Sequence, residues 1–180
     1  ILACNTASAK ALRSIQQRDL PMIDPTRRVL GIIRPTVEKL GELSHSHHVG
    51  IMGTRGTISS RSYEIETAKL HPSFTVTGHA CPMWVPLVEN GEAYSDGADY
   101  FIKKEIDALI SGDPEIDALI LACTHYPLLL DKIKRYTPPH ISIVTQGEII
   151  AHSLEDYLHR HPEIDSRCSH SGRVEYLTTE

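Results

Sequence analysis

Aromatic residues and positive charges are both scarce in this sequence of 180 residues. Phe, Trp and Tyr make up 6% of it, too few for a surface on which nucleic-acid bases would stack. Lys and Arg number 18 against 23 Asp and Glu, and the net charge of −5 offers no basic surface to nucleic acid or to an anionic membrane. No apolar run approaches the roughly 18 residues that a membrane-spanning helix needs. These absences predict that neither nucleic acid nor a membrane is a partner; the small-molecule substrate is predicted from the residues discussed below.

Cysteine is also rare, and the four cysteines are widely spaced. Cys4, Cys81, Cys123 and Cys168 are too few and too dispersed for a small disulfide-bonded scaffold, which predicts a reduced, cytoplasmic protein. The remaining composition, 41% hydrophobic and 23% charged, is that of an ordinary globular protein. A chain of this length can form one domain or two small lobes that share a cleft.

Short apolar segments alternate with amphipathic helical patterns along the chain. Such alternation indicates an α/β fold with mostly parallel sheets flanked by helices, in which ligands bind beyond the carboxyl ends of the strands. The pattern predicts strands at residues 28–33, 48–52, 73–77, 116–122 and 140–145, with a further strand-like stretch at 172–180. It predicts helices at residues 7–17, 35–43, 58–70, 98–111, 127–136 and 147–159.

The sequence Ile-Leu-Ala-Cys occurs twice, at residues 1–4 and 120–123, and each copy leads into a helical pattern. We interpret the repeat as pseudo-symmetry between two lobes, each with a cysteine where a buried strand ends. A thiol beside the start of a helix lies near the positive end of the helix dipole, which favours a lowered pKa and a reactive thiolate. Residues 1–6 resemble the end of such a strand, so we expect part of the first lobe to precede them.

Two thiols in equivalent positions suggest an acid and a base on opposite faces of one substrate carbon. Removing a proton on one face and returning one on the other inverts a stereocentre without a cofactor, as a racemase or epimerase does. One functional alternative is a thiol hydrolase that uses Cys123 and His125, although residues two apart at a strand exit do not easily form the Cys–His hydrogen bond. Another is a non-catalytic binding protein for an acidic amino acid. For either cysteine alone, the structural alternative is a small buried hydrophobe.

Five segments together resemble the aspartate/glutamate racemase family. Residues 3–8 (Ala-Cys-Asn-Thr-Ala-Ser) and 123–127 (Cys-Thr-His-Tyr-Pro) are similar to its two cysteine signatures. Residues 53–57 (Gly-Thr-Arg-Gly-Thr) resemble its Gly-Thr-Arg-x-Thr turn. Residues 81–82 (Cys-Pro) and 85–89 (Val-Pro-Leu-Val-Glu) resemble its Cys-Pro segment and the acidic residue that follows. The segments occur in the family's order, and the similarity runs from residue 1 to about residue 159.

The resemblance implies a racemase that interconverts L- and D-glutamate without a cofactor or metal and supplies the D-isomer for bacterial peptidoglycan. By the same resemblance Cys4 and Cys123 are the acid/base thiols, and His125 and Glu89 complete the catalytic group. The positions that match the family's substrate contacts are Asn5, Thr6, Thr54, Thr57, Thr124 and His125.

The implied architecture is two pseudo-symmetric α/β lobes with the active site in the cleft between them. The first lobe is expected to comprise residues 1–27 and 137–180, and the second residues 28–136. A homodimer is the family's expected assembly. Two departures stand out: the family's opening Asp-Ser-Gly and Tyr-Gly segments are absent, and its Asp-Ser-x-Glu segment appears here as Thr-Gln-Gly-Glu at residues 145–148.

Other constellations carry less weight. His79 with Cys81 and Cys123 with His125 could together form a zinc site, but structural zinc sites favour Cys pairs two to four residues apart. We interpret Cys81, which precedes Pro82, as a core residue and Cys168 as an incidental surface thiol.

Overall fold

A single parallel sheet organises the chain. The structure, a computed structural model, describes residues 1–178. Its four strands run parallel in the order β2-β1-β3-β4. Their bounds are β1 His48–Gly53, β2 Thr75–Ala80, β3 Ala118–Ala122 and β4 Ser142–Val144. Since all strands point the same way, their carboxyl ends meet at one edge of the sheet, and β3 lies between β1 and β4 at that edge.

Helices cover both faces of the sheet. The α-helices are α1 Asn5–Lys10, α2 Leu12–Ser14, α3 Leu20–Ile23, α4 Ile33–Glu38, α5 Leu40–Leu43, α6 Arg55–Ser59, α7 Ser62–Leu70, α8 Trp84–Glu89, α9 Asp96–Gly112, α10 Leu130–Tyr136, α11 Gly147–Arg160 and α12 Pro162–Asp165. A π-helical turn, Ile15–Asp19, joins α2 to α3, and a 3-10 turn, Tyr126–Leu129, leads into α10. None of the helices in residues 1–178 is both long enough and apolar enough to cross a membrane.

Alternate residues of the central strands build the two halves of the core. Leu119 and Leu121 of β3 pack in one apolar cluster with Trp84 and Ile106 from the helices on that face. Ile120, between them, packs with the cluster on the opposite face, which includes residues of α4 and α7. All five residues of β3 are buried, so this strand is covered on both faces, as its continuous apolar sequence predicts.

One carboxylate holds the loop that precedes β1 against the start of β3. Asp117 accepts hydrogen bonds from the hydroxyl of Ser44 (2.5 Å) and from the backbone N–H groups of His45 and Ser46 (2.8 Å each). Partial burial by itself would raise the pKa of Asp117, but these donors outweigh it and lower the pKa to about 2. The ionised carboxylate therefore stabilises the fold at neutral pH.

Most of the predicted elements are present with altered bounds. The helices predicted at residues 98–111 and 147–159 correspond to α9 and α11, and the strand predicted at 48–52 to β1. The helix predicted at 58–70 is divided into α6 and α7, because Arg61 takes a left-handed conformation with φ 53°. The strand predicted at 73–77 lies at Thr75–Ala80, in a register fixed by its pairing with β1.

The prediction of a strand at residues 28–33 is wrong. Gly31 makes a single bridge to Leu2, and the chain then enters α4 at Ile33. Pro35 lies in the first turn of that helix, where backbone N–H groups need no partner within the helix, so it favours helix initiation here. The strand-like stretch at 172–180 is also not formed over residues 172–178, and residues 179–180 lie outside the described residues.

The division of the chain into two lobes stays a prediction. β4 pairs with β3, so the sheet extends beyond residue 136, where the second lobe was expected to end. All fourteen residues of α11 keep some exposure, although the helix is amphipathic. A groove of about 680 Å³ lies between α11, α4, α7 and the helices after Cys4, lined by apolar side chains such as Leu12, Ile65 and Leu154.

Candidate active site

Residues with a thiol or hydroxyl side chain follow three of the four strands at the carboxyl edge of the sheet. Thr54 comes directly after β1, Cys81 after β2 and Cys123 after β3. Each strand presents these side chains at the same edge, which is the expected ligand-binding edge of a parallel sheet.

The start of α1, beside Cys4, is attached to this edge at two points. Thr6 Oγ1 shares hydrogen bonds with Thr54 Oγ1 (2.8 Å) and Thr57 Oγ1 (3.1 Å), just beyond β1. Asn5 Nδ2 donates to Gln146 Oε1 (2.7 Å), just beyond β4. Because β3 lies between β1 and β4, these two attachments hold the turn at Cys4 over the exit of β3, where Cys123 lies.

The two thiols are electrostatically coupled but differ in burial. Cys4 is exposed at the N-cap of α1, whereas Cys123 is 8% exposed. Burial is the largest effect on Cys123 and raises its pKa. The backbone N–H of His125 opposes this effect only in part, and a negative charge on Cys4 adds a smaller upward contribution. The expectation of a lowered pKa is therefore wrong for Cys123, because desolvation dominates. This thiol is protonated at neutral pH.

Cys123, His125 and Glu89 form a continuous chain of contacts. Cys123 Sγ lies 3.8 Å from His125 Nδ1, and His125 Nε2 is in close hydrogen-bonding contact with Glu89 Oε1. The expectation that residues two apart would not easily form the Cys–His contact is wrong, because the chain turns into the 3-10 segment directly after β3 and brings the ring back towards the sulfur. Glu89 comes from the end of α8, so this chain joins the segments that follow β2 and β3.

Apart from His125, the predicted substrate-contact residues separate into three groups. Thr6, Thr54 and Thr57 are gathered in one hydroxyl cluster, with Thr54 also accepting a hydrogen bond from the backbone N–H of Thr57 (3.2 Å). Thr124 is exposed beside Cys123. Asn5 is 1% exposed, and its side-chain amide is hydrogen-bonded within the protein.

Cys81 also follows a strand, but it is part of the core. It is 1% exposed and packs in the same apolar cluster as Trp84 and Tyr126. Burial raises the pKa of its thiol well above the ordinary value, and the charge of Glu105 adds to the effect. The prediction that Cys81 is a core residue is confirmed. Cys168 is exposed, as predicted.

Within residues 1–178, no group of three or more His, Cys, Asp and Glu side chains is arranged to hold a metal ion. The His79 imidazole that the zinc alternative required instead contacts a carboxylate, with its Nε2 atom 2.6 Å from Glu105 Oε2.

Three residues near Asn5 were not predicted from the sequence: Gln146 and Tyr63, which bond to its amide, and Thr36, which bonds to Gln146. The only signal was the departure at residues 145–148 from the family pattern, at the exit of the last strand of the sheet.

Comparison with known proteins decides the family. The model of the Asp/Glu/hydantoin racemase family matches residues 1–153. The chain belongs to this family. It is 35% identical, over 99% of its length, to a protein named glutamate racemase from Ruegeria sp. strain TM1040, of which it spans 67%.

Solved structures from the family share the fold. Glutamate racemase isoform RacE1 from Bacillus anthracis aligns with a TM-score of 0.77 at 32% identity, covering 87% of this chain. Glutamate racemase from Francisella tularensis, solved in complex with D-glutamate, aligns with a TM-score of 0.74 at 25% identity, covering 88% of this chain. The chain spans 56% of each of these two chains, so slightly more than half of the solved fold is represented in it.

Proposed function

We propose that this chain carries the two acid/base thiols, Cys4 and Cys123, of a racemase that interconverts L- and D-glutamate without a cofactor. The observation that carries the proposal is the attachment of the Cys4 turn at two points, beyond β1 and beyond β4, on either side of β3. This attachment supports a position of Cys4 near the end of β3, where Cys123 lies. The family relationship supports the reaction class, and the names of the relatives support glutamate as the substrate.

The differing burial of the two thiols supports a division of labour between them. Cys123, with its raised pKa, is protonated at neutral pH and can donate a proton to the α-carbon. Cys4, which is exposed, removes the α-proton from the other face of the carbon. After the reaction Cys4 carries the proton and Cys123 has lost one. The reverse reaction therefore begins from the opposite protonation state of the two thiols. His125, backed by Glu89, contacts Cys123 and helps move its proton.

The groups around the thiols are suited to an amino acid with two carboxylates. The hydroxyls of Thr6, Thr54 and Thr57 and the backbone N–H groups at the start of α6 are neutral donors for a carboxylate. A D-glutamate product would serve peptidoglycan synthesis, as the family relationship suggests. We retain a homodimer as the proposed assembly.

Isotope incorporation tests the reaction directly. The protein expressed from its complete reading frame is incubated with L-glutamate in D₂O, without added cofactor. We expect D-glutamate that carries one solvent deuterium on the α-carbon, because the returning proton comes from a thiol that exchanges with solvent. Aspartate, whose side chain is one carbon shorter, should be converted far more slowly. Equal turnover of aspartate would overturn the substrate assignment.

Single substitutions test the residues. Cys4→Ser and Cys123→Ser should each abolish racemisation. A serine hydroxyl is not deprotonated at neutral pH and therefore cannot act as the base. Cys168→Ser is the matched control, since it removes an exposed thiol distant in sequence from both, and it should keep the parent rate. Racemisation at the parent rate in either of the first two variants would refute the two-thiol proposal.

The Cys123–His125–Glu89 chain favours a second candidate, a thiol hydrolase. Nucleophile, base and orienting carboxylate are the parts of such a site, and here they are in contact. This candidate assigns no role to Cys4. Loss of activity in Cys4→Ser therefore supports the racemase, whereas an acyl-enzyme on Cys123 in a protein without Cys4 would support the hydrolase.

A further inference from the structure

Three buried side chains close a ring of hydrogen bonds directly beside Cys4. Asn5 Nδ2 donates to Gln146 Oε1 (2.7 Å), Gln146 Nε2 donates to the hydroxyl of Tyr63 (2.9 Å), and that hydroxyl donates to Asn5 Oδ1 (2.7 Å). Each member donates once and accepts once. The ring therefore has a single direction. Reversing the Asn5 amide alone would set its oxygen against Gln146 Oε1, and reversing the Gln146 amide alone would set its nitrogen against Asn5 Nδ2.

A fourth residue extends the ring and fixes its orientation. Gln146 Nε2 also donates to Thr36 Oγ1 (2.7 Å), and the Thr36 hydroxyl in turn donates to the carbonyl of Ile32 (2.8 Å). Burial raises the pKa of Tyr63, so its hydroxyl remains a donor. Asn5, Tyr63 and Thr36 are each at most 2% exposed and Gln146 is 8% exposed, so water does not compete effectively for these groups.

The ring joins the turn that carries Cys4 to the sheet that carries Cys123. Asn5 directly follows Cys4. Gln146 is the N-cap residue of α11 and lies two residues after the end of β4. β4 in turn is hydrogen-bonded to β3, which ends at Cys123. The side-chain contact between Asn5 and Gln146 and the pairing of β4 with β3 therefore connect the Cys4 turn to Cys123.

We propose that Gln146 and Tyr63 are positioning residues that hold Cys4 over the exit of β3. The inference rests on the racemase function proposed above. Packing alone does not require these groups: an apolar cluster of the same volume would bury equally well without the cost of desolvating two amides and a hydroxyl. A ring in which every polar group has a hydrogen-bond partner fixes a single orientation of the Asn5 backbone, which apolar packing does not. Catalysis between two thiols depends on that orientation, because small displacements of a reacting group greatly reduce the rate.

Half-reactions of single-thiol proteins test the proposal. In Cys123→Ser only Cys4 can remove an α-proton, and in Cys4→Ser only Cys123 can. With 3-chloroglutamate, α-proton removal forms the carbon–carbon double bond as chloride leaves the β-carbon. The enamine tautomerises to an imine, which water hydrolyses to 2-oxoglutarate and ammonium. Elimination therefore needs one base only, and release of 2-oxoglutarate from each enantiomer reports on one thiol at a time.

Tyr63→Phe opens the ring while keeping the aromatic ring in the core. We expect it to slow elimination by Cys4, in the Cys123→Ser protein, about tenfold, and to change elimination by Cys123, in the Cys4→Ser protein, less than about twofold. Tyr136→Phe is the matched control, because it removes a hydroxyl that donates to Asp99 (2.8 Å) and takes no part in the ring. It should change neither half-reaction. Gln146→Leu, which removes the ring's central amide, should reproduce the Tyr63→Phe pattern.

Hydrogen exchange gives a second measurement that does not depend on activity. The backbone amides of Ser8 and Ala11 donate to the carbonyls of Cys4 (2.9 Å) and Ala7 (2.8 Å). In Tyr63→Phe, but not in Tyr136→Phe, these two amides should exchange with solvent about fivefold faster than in the parent. Equal loss in both half-reactions, no loss in either, or unchanged exchange at Ser8 and Ala11 would each overturn the positioning role. If neither single-thiol parent eliminates chloride while exchange responds as expected, the racemase proposal is wrong and the anchoring of the turn is upheld.

Discussion

A methyl group added at Gly56 would test whether the position of α1 controls activity. A Cβ atom at this glycine would lie 2.9 Å from Cγ2 of Thr6, across the contact between α6 and α1. Ordinary carbon–carbon contacts lie at about 3.5–4.0 Å, so Thr6 or the start of α1 must move by about 1 Å. Rotating the Thr6 side chain away would break its hydrogen bonds to Thr54 and Thr57.

The stability and activity effects of Gly56→Ala differ greatly in size. Alanine is the better helix former by about 1 kcal/mol, and the threatened hydrogen bonds are worth about 1 kcal/mol each, so the free energy of unfolding should change by no more than about 2 kcal/mol. A displacement of about 1 Å beside Cys4, in contrast, should lower kcat by about a hundredfold. Denaturant unfolding and racemisation kinetics of the same protein preparation measure the two effects.

Two further variants make the result decisive. Thr6→Ser removes the obstructing Cγ2 and keeps the hydroxyl, so combining it with Gly56→Ala should restore most of the lost activity. Gly97→Ala is the matched control: this glycine is also the second residue of a helix with a hydroxyl N-cap, but its added Cβ would meet only Ser95 Oγ, at 3.6 Å. Full activity of Gly56→Ala, or no rescue by Thr6→Ser, would refute the reasoning.

Three more outcomes are expected. Asp117→Asn should lower the free energy of unfolding by about 2 kcal/mol at pH 7, and most of its difference from the parent should be lost as the pH falls from about 4 to about 2, where folded Asp117 is half protonated; a difference at pH 2 as large as that at pH 7 would contradict this. Glu89→Gln should lower kcat about tenfold or more with KM little changed, because the amide carries no charge to support a protonated His125; an unchanged kcat would exclude Glu89 from the proton path. In peptide mass spectrometry, iodoacetamide labelling of Cys123 should keep accelerating above pH 9, and Cys81 should remain unlabelled until the protein unfolds; labelling of Cys81 in the folded protein would show that its cover opens.

The sequence was sufficient to predict the parts of the fold that follow from local patterns. β3 is recognisable because every residue from Ala118 to Ala122 is apolar, and a short run of this kind is typical of a strand covered on both faces. The parallel arrangement follows from the alternation of strands and helices, and it places Thr54 and Cys123 at one edge of the sheet. The segment at residues 28–33 has a similar composition, but only Leu2 pairs with it among the described residues, so composition alone was misleading there.

The ring beside Cys4 could not be predicted in the same way. Asn5 and Gln146 are 141 residues apart in the chain, and Asn5 and Tyr63 are 58 apart. No local pattern relates them, since each polar side chain is equally compatible with solvent exposure. Their contact exists only because the strand order places the exit of β4 next to that of β3. The raised pKa of Cys123 was missed for a related reason: the helix dipole can be inferred from sequence, whereas the burial that outweighs it depends on tertiary packing.

Cys81 and Cys123 show why a strand exit is not sufficient to identify a reactive thiol. Both directly follow a parallel strand, and the two strands flank β1 at the same edge of the sheet. Tyr126 covers Cys81: its hydroxyl donates to the carbonyl of Cys81 (3.2 Å), and its ring packs edge-on against Trp84, with the ring centres 4.8 Å apart. The same turn that brings Tyr126 inwards directs His125 towards the sulfur of Cys123. One short segment after β3 therefore covers one thiol and provides a proton partner for the other.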